Sequence, residues 1–146
     1  MRRRALIAGL AGAVTSGLPS TTWTLLRRGD VLEGARALGL AVLPNERRTV
    51  VLLAAGAPVH LALSIGWAYV LAAVLPARAE PVSGAVGGLA IAALDLGLLG
   101  RFFPTIQALP QGRQWADHVA FGVTVGAVLR ATRPADRPPA PGGAAR

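Results

Sequence analysis

Four apolar segments, residues 5–26, 49–75, 83–103 and 115–132, set what this chain can fold into. Each is close to the roughly 20 residues that carry a helix across a hydrocarbon core of about 30 Å. Backbone in lipid must satisfy its own N–H and C=O groups, and a run of this length does so as a helix. The expected fold is therefore all-α, a four-transmembrane-helix bundle within a single domain at 1–132, followed by a Pro- and Arg-rich tail at 133–146 with the composition of a disordered segment. Only 15% of the residues are charged, against about a quarter in soluble domains.

The basic start Arg2, Arg3 and Arg4 followed by ALIAGLAGAV has the n- and h-regions of a signal peptide. No small-residue cleavage site precedes a polar domain, and three more apolar segments follow, so a retained first helix is expected. Pro19 removes one backbone hydrogen bond and predicts a kink there, with the hydroxyls of Thr15 and Ser16 placed to satisfy freed carbonyls. Small residues recur at steps of four along this segment, at Ala8, Gly12, Ser16 and Ser20, so one face can approach a neighbouring helix closely.

Residues 30–43 are too short to span. Asp30 can cap and Glu33 follows three residues later as in a capping box, while Val31, Leu32, Ala35, Leu38 and Val42 form an apolar stripe. A short helix at the interface or against the bundle is expected, between spans one and two. Trp67 and Tyr69 lie toward the far end of the second segment, where an aromatic belt belongs. The short link 76–82 predicts antiparallel neighbours on its two sides. Residues 104–113 carry Pro104 and Pro110 and read as a turn or re-entrant loop. Gly84 and Gly88 in the third segment, and Gly122 and Gly126 in the fourth, again stand at steps of four.

Orientation is nearly balanced. With four spans, eight of the fifteen arginines fall on the side of the termini and seven on the other, and the first helix favours cytoplasmic termini. The net charge of +8 comes from arginines flanking apolar segments, which suits lipid headgroups and not nucleic acid. The partners expected are the lipid bilayer and, through the glycine faces, a second copy in a homo-oligomer.

Aligning the second and fourth segments on their histidines pairs His60 with His118, Ala62 with Ala120, Ser64 with Gly122, Val70 with Val128, Leu71 with Leu129 and Pro76 with Pro134, without a gap. Two tandem helical hairpins would produce such a pattern, and so would chance between two segments rich in Ala, Val, Leu and Gly. If the repeat holds, His60 and His118 share one depth and Asp95 falls within about a turn of both. Asp117 sits nearer the headgroups.

A carboxylate inside an apolar helix faces the interior of a bundle and marks a functional or clamping position. Asp95, His60 and His118 are the candidates for a metal or haem site, or for a proton relay, because imidazoles and a carboxylate converging in a dry interior suit each of these. The plainer expectation is a polar cluster of His60, Asp95, Asp117 and His118 that holds the bundle or an oligomer together. No cofactor is specified, and no nucleophile elbow, HExxH or cysteine points to an enzyme.

The Ser16-Gly17-x-Pro19 stretch, His60 with Ser64, the F-P-x-I-x-x-L-P run at 103–110 and the D-H-x-x-F-G run at 117–122 resemble small four-span membrane proteins of actinobacterial type. More distantly they resemble the YagU-like family of small bacterial inner-membrane proteins. The resemblance implies a fold and a multi-pass place in the inner, cytoplasmic membrane. It implies no activity.

Overall fold

In the computed structural model, which describes residues 2–76 and 81–133, every regular element among the described residues is a helix. The chain runs through α1 (Arg2–Thr15), α2 (Leu18–Leu26), α3 (Glu33–Val42), α4 (Thr49–Val74), α5 (Pro81–Ala92), α6 (Pro104–Gln107) and α7 (Gln111–Ala131). Beyond Ala92, α5 continues as a π-helical turn at Ala93–Leu99 and a 3₁₀ turn at Gly100–Phe102. The expected disordered tail lies outside the described residues apart from Arg133, as do residues 77–80 of the link and Pro134 of the proposed repeat.

Two of the helical stretches, Thr49–Val74 and Pro81–Phe102, are long and apolar enough to cross a membrane. The other two expected spans are not. The first is broken into α1 and α2 at Ser16–Gly17, and α7 carries Arg113, Asp117 and Arg130 along its 21 residues. The break falls three residues before the proline that predicts it, because Pro19 takes the second position of α2, where a missing N–H costs nothing.

The helices pair as α1 with α4 and α5 with α7, and α1 also lies along α7. Across the short link the backbones of α4 and α5 stay apart, and the two helices meet through side chains, with Leu71 of α4 lying against Gly87 of α5. Backbone contact explains the α5–α7 pairing. Gly84 packs on Gly122 and Gly126, and Gly88 packs on the backbone of His118 and Val119. A Cβ at Gly122 would lie 2.7 Å from the Gly88 nitrogen and nearer still to the Gly84 carbonyl oxygen. Gly12 gives α1 the same closeness to α7, where a Cβ would stand 2.6 Å from the Phe121 ring. The core filled this way is small, formed by Ala8, Ala68, Leu71, Ile91, Phe121, Val125 and Leu129.

The helix after α2 differs from expectation in two ways. Its apolar stripe faces outward, with Val31, Leu32, Ala35 and Val42 exposed, while the small residues Ala37 and Gly39 are buried and Gly39 rests on the backbone of Leu52 in α4. Backbone proximity wins here over side-chain burial. The capping box also does not close: Asp30 Oδ1 accepts the Leu32 N–H at 2.9 Å and its other oxygen pairs with Arg36, while the Glu33 carboxylate turns to Arg113.

The polar residues collect at the two ends of the helices. At one end Arg4 donates to the Leu129 carbonyl and to Thr132 Oγ1, closing the C-terminus of α7 with a cation where the helix dipole favours one. At the other, Asp30 pairs with Arg36, Glu33 with Arg113 and Glu46 with Arg48. Glu46 also accepts the N–H groups of Arg47 and Arg48, both at 2.8 Å, just before α4 begins.

The Arg48 guanidinium and these two backbone donors hold the Glu46 carboxyl down to about 2, from an ordinary 4.5. A depressed carboxylate adds stability above its unfolded value and loses it as pH falls toward its folded one. Glu46→Gln is therefore expected to flatten the acid-side loss of order at the start of α4 between pH 4.5 and about 2, read by amide exchange of the first turn. Asp30, lowered by Arg36, titrates in the same direction and remains in both proteins.

Candidate functional site

Asp95 sits in the π-helical turn, whose wide hydrogen bond runs from the Gly100 N–H to the Asp95 carbonyl. Such single wide turns recur at functional positions. The Asp95 carboxylate meets two groups from other helices. Trp67 Nε1 of α4 donates to Oδ2 at 2.9 Å, and His118 Nε2 of α7 stands 3.5 Å from the same oxygen. The carboxylate and the imidazole are 18% and 21% exposed, so the node is largely withdrawn from its surroundings.

The second nitrogen of His118 fixes the chemistry. Nδ1 lies 2.8 Å from the Gln114 carbonyl oxygen, one turn back on α7, and can only donate to it. A neutral ring with its proton on Nδ1 would aim a bare Nε2 lone pair at a carboxylate. The 3.5 Å contact between Nε2 and Oδ2 is therefore attractive only when a proton lies between them. The tautomer follows here from the neighbours of each nitrogen.

His60 does not belong to this node. Its Nε2 lies 3.0 Å from the Ala13 carbonyl of α1, at the carbonyl end of the break before Ser16–Gly17. The reason is depth along α4: Trp67, which does reach Asp95, is seven residues further on, about 10 Å at 1.5 Å per residue. Asp117 is also drawn elsewhere. Adjacent to His118 and therefore on another face of α7, it accepts the backbone N–H of Ser20 at 2.9 Å and so caps the start of α2. The polar cluster expected of His60, Asp95, Asp117 and His118 is thus two arrangements: an interhelical node at Asp95, Trp67 and His118, and a repair of the broken first segment by His60 and Asp117.

Among the described residues, no three His, Asp or Glu side chains converge in a way that could hold a metal ion. His60, Asp95 and His118 form no metal centre, and the two histidines face different partners. The remaining interhelical polar contacts are also satisfied pairs. Thr15 and Thr124 share a hydrogen bond at 2.8 Å, and Arg113 donates to Thr24 Oγ1 at 2.6 Å.

Sequence reasoning missed Trp67, assigning it to the membrane interface. The available signal was its indole N–H, which needs an acceptor when the ring is covered, with Asp95 the one acid in the apolar stretch opposite. Within each helix pair, however, the histidine of the second helix does reach an acceptor on the first: His60 on α1 and His118 on α5.

No protein-family model, curated protein or solved structure matches this chain.

Proposed function

We propose that this chain is a multi-pass protein of the inner, cytoplasmic membrane, structural or accessory in type, in which Asp95 clamps three helices through Trp67 and His118. The observation that carries the membrane reading is the exposure of its most apolar helices. In the most apolar stretches of Thr49–Val74 and Pro81–Phe102, only 17% and 28% of residues are buried within the protein. A soluble core helix hides its apolar residues, whereas here Val50, Val74, Val82 and Val86 are 62–78% exposed. Lipid is the solvent that accepts such faces.

Four crossings remain the reading we favour, although the first segment is broken into two short helices and α7 falls short in composition. The polar residues that disqualify α7 have partners inside the protein: Arg113 on Thr24 and Glu33, Asp117 on the Ser20 N–H, and His118 on Asp95. Composition penalises polar residues whether or not they are paired, while the bilayer penalises chiefly unpaired ones. No buried side-chain polar atom among the described residues lacks a partner.

A cysteine-free chain permits a direct test. Arg2→Cys and Asn45→Cys are placed singly and labelled from one side of sealed vesicles. With four crossings the two label from opposite sides; with α4 and α5 alone crossing, they label from the same side. Release of the protein by alkaline carbonate would remove the membrane reading altogether.

One observation favours a second role for the same node. An imidazole nitrogen 3.5 Å from a carboxylate oxygen, with both groups largely buried, is the kind of pair a proton-conducting protein uses. Acidification of vesicles holding the protein, abolished by His118→Gln with the fold intact, would establish that role.

A further inference from the structure

The break in the first segment leaves a groove on the outer surface between α2 and α7. It has a volume of about 520 Å³ and is walled by Leu18, Pro19, Trp23, Leu26, Ala120 and Val123, with threonine hydroxyls as its only polar lining. It is open along its length, and Leu18, Trp23 and Leu26 are 51–77% exposed.

One end of the groove carries charge. The Arg27 guanidinium lies 4.8 Å from the centroid of the Trp23 ring, so a cation rests directly on the groove wall. Arg28 follows in the left-handed conformation, φ 53°, at the turn where α2 ends. The N–H groups of Arg28 and Gly29 return to the Leu25 and Thr24 carbonyls at 3.1 and 2.9 Å, which fixes this turn. Two arginines thus stand just past the apolar wall, at the end of the helices where the Asp30, Glu33 and Glu46 ion pairs collect. Those acids are engaged with Arg36, Arg113 and Arg48.

We propose that this groove binds one anionic glycerophospholipid, an acyl chain lying between α2 and α7 and the phosphate held by Arg27 and Arg28. Acyl chains match a wall that is apolar along its length, and a guanidinium presents paired donors to phosphate oxygens. The order of the parts is that of the lipid: cation at the headgroup level, apolar wall toward the bilayer centre. This inference rests on the membrane reading above.

The test uses the full chain in nanodiscs of phosphatidylglycerol and phosphatidylcholine, with lipid retained on the protein counted by native mass spectrometry. One phosphatidylglycerol is expected to stay bound in preference to phosphatidylcholine, by about fivefold for each arginine engaged. Arg27→Gln with Arg28→Gln should bring the two lipids level, and Ala120→Trp, which fills the groove, should remove the retained lipid of both kinds. Acyl chains brominated near the headgroup should quench the emission that Trp23→Phe removes.

Equal retention of the two lipids by the wild type, or a preference untouched by the arginine pair, overturns the proposal. So does a disulfide-linked dimer formed through Val123→Cys at high yield in the bilayer, which would give the groove to a second copy. Failure to enter nanodiscs at all would instead strike the membrane reading.

Discussion

Asp95→Leu is expected to lower the stability of the detergent-solubilised protein by about 3 kcal/mol, with the emission of Trp67 shifting to longer wavelength as its ring loosens. The reason is arithmetic on partners. The Trp67 N–H and His118 Nε2 both face Asp95 Oδ2, so one truncation strands an indole donor and an imidazole on two other helices. Asp95→Asn keeps an oxygen for Trp67 and offers an amide N–H to a neutral His118, and should cost about 1 kcal/mol. An equal loss in the two variants would mean that the negative charge, and not the hydrogen bonds, holds the helices. The clamp would then be an ion pair with His118.

Gly122→Ala should be comparably damaging, at about 3 kcal/mol or an outright failure to fold, although it adds a single methyl group. That methyl would meet the backbone of α5 at Gly84 and Gly88, which has no rotamer to change, so the two helices must separate along their whole contact. Gly66→Ala is the control. Nothing lies within 4 Å of its added Cβ, and a helical alanine there should gain up to about 1 kcal/mol over glycine. Thermal unfolding of the two variants side by side separates crowding from helix propensity. Two equally mild effects would contradict the packing described for α5 and α7.

The all-helical character is legible in the sequence, and so are the bounds of the second segment, but the first is broken in two and the expected turn at 104–113 holds α6 and the start of α7. The segment read as 49–75 is a helix at Thr49–Val74, and the steps of four at Gly84, Gly88 and Gly122 fall where two backbones touch. Asp95 and His118 also meet, as a count of depth along straight helices places them. What the count omits is direction and local winding. It adds His60 by treating two helices as equivalent when they face different neighbours, and it has no means of seeing the π-helical turn that carries Asp95. The outward stripe of α3 fails for another reason. Hydrophobic periodicity marks the packed face only where large side chains do the packing, and on α3 the small residues Ala37 and Gly39 mark the face that meets Leu52 of α4.

The broken first segment bears on the order in which the molecule can be built. The Ala13 carbonyl is met by His60 of α4, and the Ser20 N–H by Asp117 of α7. These partners leave the ribosome 47 and 97 residues later than the backbone groups they serve. The first stretch of chain to be made is thus the last to be finished: until α7 arrives, the Ser20 amide lacks the carboxylate that meets it in the finished fold. Completion of the opening segment therefore waits on the final helix, and a chain stopped short of Asp117 would leave it unfinished.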